Sequence, residues 1–278
     1  MQGKTVVATG ATSGIGEVAV VKLATMGARI VFVARDAQRA EATLAKLERA
    51  APGLGHRLHI ADLSLMAEAR RIGDVIAQSE ARIDALVNNA GAIFSQRRVT
   101  TEGLEMTFAL NHMAYFVLTE ALRERLIASA PARVVSTASA AHAAAKFDPD
   151  DLQCAEGYGA WKAYSRSKLD NILFTRELAR RLAGSGVIAN CLHPGFVASR
   201  FGDEMGGWGR RLLSLGKSMF AISPDDGADT IVHLVSAPEL AMVSGEYFVK
   251  RKIAKPSAVA RDDRAARQLW EASEALAD

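Results

Sequence analysis

The stretch TVVATGATSGIG, residues 5–16, constrains this chain more than any other. A short run rich in Val and Ala leads straight into three glycines, Gly10, Gly14 and Gly16, and a helical pattern near 15–27 follows. Apolar runs of this length, without alternation, read as strands buried on both faces. Glycine tolerates positive φ and lets a backbone come close to a ligand. Between a strand and a helix N-terminus, such a turn offers backbone N–H groups and the positive end of the helix dipole to a pyrophosphate. The spacing is GxxxGxG rather than GxGxxG, and a glycine-rich turn also has a purely structural reading. Its place at the first strand-to-helix crossover favours a nucleotide.

The rest of the chain continues the alternation. Strands are expected at TVVAT (5–9), RIVFVA (29–34), RLHIA (57–61), ALVNN (85–89), RVVSTA (133–138), VIANCLH (187–193) and GEYFV (245–249). Helical stretches fall near 15–27, 36–50, 64–79, 101–129, 160–184, 224–236 and 258–276. This order predicts a doubly wound α/β Rossmann fold: a seven-stranded, mostly parallel sheet with helices on both faces. No linker or repeat divides the chain, so residues 1–278 are expected to be one domain.

Composition excludes several classes of function. Net charge is +3 and aromatics are 6%, with no long basic run, so nucleic acid is not an expected partner. Lys250, Arg251, Lys252 and Lys255 read as a solvated loop. No CxxC or HExxH spacing exists, so no metal is expected, and Cys154 and Cys191 read as free thiols. No apolar run is long enough for a signal peptide, membrane anchor or span. A cytoplasmic protein is expected.

The end of the second expected strand bears on the nucleotide. An acidic residue there would bind a ribose 2′-hydroxyl. Here the strand ends in Ala34, followed by Arg35 and Asp36. Arg35 suits a 2′-phosphate through charge-assisted bonds. Asp36 stands 20 residues after Gly16 but one step late, and reads as the cap of the next helix.

Further along, YSRSK (164–168) sets a tyrosine one helical turn before a lysine. Residues at i and i+4 share a helix face. A fixed cation lowers a phenol pKa from its ordinary value near 10, which makes the pair a candidate acid/base device. A solvated helix face is the competing reading.

Together these pieces resemble the short-chain dehydrogenase/reductase superfamily. TGATSGIG matches its TGxxxGxG turn and NNAG (88–91) the motif after its fourth strand. Asn111 in ALNHMAYF, Ser139 in STASAAH, YSRSK, and HPGFVAS (193–199) match its remaining motifs in order. Ser139 and Tyr164 stand 25 apart, with the insert HAAAKFDPDDLQCAEGYGAW between them. With AYSRSKLDNILFTRELARRLAGSGV, SGEYF and RQLWEASE, this is similar to the retinol dehydrogenase group.

The resemblance implies an oxidoreductase that interconverts an alcohol and its carbonyl; Ala34 and Arg35 make NADP the expected cofactor, with NAD as the alternative. Tyr164 would be the general acid or base. Lys168 would lower the tyrosine pKa and hold the nicotinamide ribose. Ser139 would bond the substrate oxygen, with Ser136 as a nearby competitor. Asn111 would hold a water linking Lys168 to solvent, or satisfy backbone groups at a helix kink. Cofactor contacts carry over to Gly10, Thr12, Ser13, Gly14, Ile15, Gly16, Arg35, Asp62, Leu63, Asn89, Ala90, Gly91, Tyr164, Lys168, Pro194, Gly195 and Val197. Asp62 would bond the adenine amino group, cap the next helix, or both. His142 reads as a packing or loop histidine.

A substrate lid is expected at about 196–223, where Met205, Trp208, Leu212, Leu213, Leu215, Met219 and Phe220 suggest a lipophilic substrate. A homodimer through the helices near 101–129 and 160–184 would use Met113, Phe116, Leu173 and Phe174, which could instead pack on the sheet. Two other readings stay open: a catalytically silent nucleotide-binding or scaffold protein of the same fold, and a sugar-nucleotide epimerase-like enzyme.

Overall fold

Runs of Val, Ile, Phe and Ala that leave no side chain in water need a neighbour on every side, and here each finds one. The computed structural model describes residues 1–195 and 223–277. The strands are β1 Thr5–Thr9, β2 Arg29–Ala34, β3 Arg57–Ile60, β4 Ala85–Asn88, β5 Ala132–Thr137, β6 Val187–His193, β7 Tyr247–Val249 and β8 Lys252–Ile253. They form one sheet in the order β3-β2-β1-β4-β5-β6-β7-β8. All pairs are parallel except β7 with β8. β1 lies between β2 and β4, so the winding reverses there. Crevices that take ligands open at such a switch point, beyond the carboxyl ends of the strands.

The helices are α1 Gly14–Thr25, α2 Ala37–Ala50, α3 Met66–Ser79, α4 Ala114–Ala128, α5 Ala160–Arg181, α6 Pro224–Ser236 and α7 Asp263–Ala277. α3, α4, α5 and α7 enclose one half of the core. α1, α2 and α6 enclose the other. Among the described residues no helix is long and apolar enough to cross a membrane.

The sheet has eight strands where seven were expected. After β7 the chain turns at Lys250 and Arg251, both at positive φ, and two exposed residues pair back as β8. Two residues without an apolar run leave no mark in a sequence pattern.

The helix expected over 101–129 is interrupted. Val99 and Glu105 form an isolated antiparallel bridge. The Glu105 carboxylate then accepts from the N–H of Thr107 at 2.9 Å and of Phe108 at 2.8 Å, starting a single turn, Met106–Phe108. A π-helical turn, Ala109–Met113, leads into α4. The start of α3 also differs from expectation. Asp62 does not cap it; its Oδ1 accepts from the N–H and hydroxyl of Ser64 at 3.0 and 2.8 Å. The cap is Glu102, which accepts from Met66 N at 2.5 Å and Ala67 N at 3.0 Å.

The four side chains expected at a dimer face are not on the surface. Met113, Phe116, Leu173 and Phe174 are between 0% and 2% exposed. α7 covers them. The Trp270 ring stacks on Phe174 at 5.8 Å and meets Phe116 edge-on at 4.9 Å. Ser273 Oγ and His112 Nε2 are 2.8 Å apart beneath the same helix.

Candidate active site

The glycine turn packs directly on the loop after β4. Gly10 and Gly14 hold positive φ, at 64° and 56°. A Cβ on Gly16 would come within 2.1 Å of the Gly10 carbonyl oxygen and 2.5 Å of Asn89 Nδ2, so only glycine fits there. Asn89 Nδ2 donates to Gly10 O at 3.1 Å, and the N–H groups of Asn89 and Ala90 donate to Thr9 Oγ1 at 3.0 and 3.1 Å. Thr137 Oγ1 donates to Asn89 Oδ1 at 3.0 Å. The carboxyl ends of β1, β4 and β5 are thus braced together at the switch point.

This cradle suits a dinucleotide. The first turn of α1 leaves the N–H groups of Gly14, Ile15 and Gly16 without helical acceptors. Ser13 stands at the N-cap but makes no side-chain cap bond. Thr12 is half-buried beside it. At the end of β2, Arg35 is exposed and, among the described residues, makes no ion pair. Asp36 is engaged elsewhere: its carboxylate caps α2 by accepting from Arg39 N at 2.9 Å. Asp62 and the buried Leu63 follow β3, and Pro194 and Gly195 follow β6. Val197 and the expected lid at 196–223 lie outside the described residues, apart from Ser223, whose hydroxyl caps α6.

Tyr164 and Lys168 lie on the buried face of α5, four residues apart as the helix repeat requires. The Lys168 ammonium donates to the carbonyl oxygen of Thr137 at 3.0 Å and stands 5.7 Å from the Tyr164 ring centre. It stands equally near the ring of Tyr115, at 5.8 Å. Burial draws the Lys168 pKa down to about 7. Burial also pushes the Tyr164 phenol up, while its hydrogen bond with Ser139 works the other way. Desolvation therefore outweighs the lowering expected of Lys168, because the same burial disfavours the lysine charge.

Asn111 sits in the π-helical turn. Its Oδ1 accepts from Ala92 N at 2.8 Å; its Nδ2 donates to Ala92 O at 2.9 Å and to Ser167 Oγ at 3.0 Å. These bonds fix the segment after NNAG against α5. A Cβ on Gly91 would lie 3.1 Å from Asn111 Oδ1 and 3.5 Å from Lys168 Nζ, so these groups converge on one point.

Ser139 follows β5 and caps the short helical turn Ala140–Ala144 by accepting from Ala141 N at 3.2 Å. Ser136 is buried on β5 with its hydroxyl unpartnered, not at the phenol. His142 has more than the packing role expected from sequence. Its Nδ1 lies 2.7 Å from Ser139 O, and its Nε2 accepts from the Ser257 N–H at 3.2 Å. The second bond requires a bare Nε2, so the proton is on Nδ1 and donates to Ser139. The ring also lies edge-on to Tyr247 at 5.2 Å. Only the histidine three residues past the serine hinted at this.

Tyr164, Ser139, Lys168 and Asn111 thus gather beside a glycine turn that suits a dinucleotide, and comparison with known proteins gives the family. The family model described as short chain dehydrogenase matches residues 4–208. The chain belongs to the short-chain dehydrogenase/reductase family. Within it, the chain is 39% identical to human retinol dehydrogenase 13, over 99% of this chain and 84% of that protein. It is 38% identical to human retinol dehydrogenase 14, over 99% and 87%. It falls in the retinol dehydrogenase-like group and is an NAD(P)-dependent oxidoreductase acting on CH–OH donors.

Two solved structures share the fold at useful identity. An uncharacterised protein from Mycobacterium paratuberculosis matches with TM-score 0.79 and 30% identity, over 99% of this chain and 94% of that one. An NADP complex of RhlG from Pseudomonas aeruginosa matches with TM-score 0.71 and 28% identity, over 89% and 94%.

Proposed function

We propose that this enzyme prefers NADP and interconverts a lipophilic alcohol and its aldehyde or ketone, with residues 1–278 acting as one domain. The observation that carries the cofactor choice is the Arg35–Asp36 pair. The arginine is exposed at the end of β2, and the carboxylate that would repel a 2′-phosphate is committed to a helix cap. The RhlG structure, at 28% identity, was solved with NADP, which supports the same preference.

When bound, the cofactor supplies the hydride chemistry. The pyrophosphate would rest on the turn from Gly10 to Gly16, and the nicotinamide end against Asn89, Ala90, Gly91, Lys168, Pro194 and Gly195. Reduction then needs a proton at the substrate oxygen. Tyr164 gives it from its phenol, which burial keeps protonated at neutral pH. Ser139 donates to the same oxygen and fixes its distance from the phenol. Lys168 holds the ribose and restores the Tyr164 proton, since a pKa of about 7 lets it both hold and release one. Asn111 acts by anchoring Ala92 and so the loop that carries Gly91.

The lipophilic reading rests on the surroundings of the phenol. Ile93, Ala141 and Ala160 pack with Tyr164 as an apolar cluster. The names of the relatives, retinol dehydrogenases, point the same way. The test is a turnover screen of aldehydes and ketones of rising chain length with NADPH and with NADH. Higher kcat/KM with NADPH and with longer chains is expected. Equal use of both cofactors, or preference for small charged substrates, would overturn the reading.

A further inference from the structure

We infer that Trp161 sorts substrates by apolar length, its indole being the surface on which the apolar part of the carbonyl substrate lies beside the Tyr164 hydroxyl. The inference rests on the lipophilic reading above and names the residue that would enforce it.

Trp161 stands three residues before Tyr164 in the first turn of α5, so the two share a helix face. Their ring centres are 5.8 Å apart and tilted by 38°. Tyr164 is 7% exposed, yet Trp161 is 54% exposed. A tryptophan that spends half its surface on water while touching a buried phenol is costly for folding alone. The other described tryptophan, Trp270, is 1% exposed in the core. Trp161 is the one aromatic among the described large apolar side chains left exposed, and its ring meets that of Tyr164.

The support beneath the indole is fixed. Lys162 Nζ donates to the carbonyls of Glu156 and Gly157 at 2.8 and 3.3 Å, tying the first turn of α5 to the end of the insert. Tyr158 donates its phenolic hydrogen to Phe94 O at 2.9 Å, and Arg166 pairs with Asp148 and Asp151 at 3.4 Å. The long interval between Ser139 and Tyr164 therefore ends in a braced turn that presents one large flat apolar surface. Such a ring gives much contact area with few rotatable bonds to fix. Ile93, Ala141 and Ala160 cluster with the same phenol. A hydrocarbon chain or ring attached to a carbonyl at Tyr164 would lie against both, whereas a sugar or hydroxy acid would leave its hydroxyls without partners there.

The experiment compares kcat/KM with NADPH for straight-chain aldehydes of rising length in the full-length wild type, Trp161→Ala and Trp161→Phe. Calorimetric binding of a long-chain primary alcohol to each protein serves as a readout without turnover. In the wild type each buried methylene should raise kcat/KM by up to about fourfold until the site is full. In Trp161→Ala the ratio of long-chain to short-chain kcat/KM should fall by about tenfold, as for loss of a central aromatic contact. Alcohol affinity should fall with it, and Trp161→Phe should recover most of both. A wild-type series that rises while Trp161→Ala keeps the same ratio overturns the inference and leaves the lipophilic reading standing. Equal losses on short and long substrates also overturn it, since they mark a general role at Tyr164. A flat wild-type series overturns the lipophilic reading itself, and the inference with it.

Discussion

Lys168 and Asn171 donate to the same oxygen. The ammonium of one and the amide of the other lie 3.0 and 3.1 Å from the carbonyl of Thr137, the last residue of β5. Removing the lysine therefore leaves that carbonyl with a partner. What it also removes is a buried charge. The Lys168 pKa in the folded chain is about 7, below the ordinary 10.5. Between those values the unfolded chain holds the proton and the folded chain does not, so stability rises with pH across that window. Below about 7 both states are charged and the whole penalty is present. Lys168→Met should raise stability at neutral pH by an amount on the order of a few kcal/mol, and flatten the rise between pH 7 and 10.5. Urea midpoints of both proteins across that range check this. An unchanged slope in the variant would place the linkage elsewhere.

Tyr164→Phe keeps the ring that packs against Trp161 and Ile93 and loses only the hydroxyl. Turnover should fall by roughly a hundredfold or more, as for loss of a general acid. Dinucleotide affinity, followed by fluorescence of the reduced nicotinamide, should stay close to wild type. Near-normal turnover would remove Tyr164 from the mechanism.

Arg35 and Asp36 are adjacent but should separate cleanly. Arg35→Ala should weaken NADPH by about 1–3 kcal/mol, a lost charge-assisted contact, and leave NADH nearly unaffected. Asp36→Ala removes the cap of α2 and should cost about 1 kcal/mol of stability. The NADPH-to-NADH affinity ratio should survive that second change. Titrations with both dinucleotides, and melting curves for both variants, read out the two effects.

His142 joins Ser139 to the segment at Ser257, and its Nδ1–H is the hydrogen that holds Ser139 O. Asparagine places an amide N–H near that position; alanine does not. His142→Ala should lower kcat by about tenfold through loss of a positioning hydrogen bond of about 1–1.5 kcal/mol, and His142→Asn should restore part of it. The KM for NADPH should move little in either. If asparagine fares no better than alanine, the Ser139 contact is incidental.

Acid should destabilise the fold well above the carboxylate range. Burial holds His193 down to about 4 and His112 to about 3, against an ordinary 6.5. For each, the unfolded chain binds a proton between its folded pKa and 6.5 that the folded chain refuses. Stability is therefore lost as pH falls through that window. His112→Asn should reduce the acid sensitivity measured by urea midpoints from about pH 7 to about pH 4.

The local signals in the sequence were strong where one segment decides its own conformation. Gly10, Gly14 and Gly16 directly after a buried run place β1, the turn and α1 without help, and Tyr164 with Lys168 needs only the helix repeat. Signals failed where a distant residue decides. α3 begins at Met66 because Glu102 reaches its first N–H groups from 36 residues away, which Asp62 could not reveal. The break before α4 escaped because Met106, Leu110 and Met113 repeat at i, i+4 and i+7, a helical period that runs on unbroken across the π-helical turn. α4 and α5 bury consecutive residues, Ala114–Thr119 and Ser167–Thr175, so no single apolar stripe told which face meets another helix. In the sequence His142 reads as a packing or loop histidine because its partner, Ser257, lies 115 residues away.

The covering of Phe116 and Phe174 by Trp270 bears on how the chain is made. Synthesis runs from N- to C-terminus, and domains begin to collapse as they emerge. α4 and α5 are complete by Arg181, but the helix that shields them is not read until Asp263. Throughout the intervening stretch a nascent chain carries a bare aromatic face that its own later residues must reach. A ribosome stalled in that interval would hold out a sticky intermediate for chaperones to bind, and the arrival of Trp270 would end their hold.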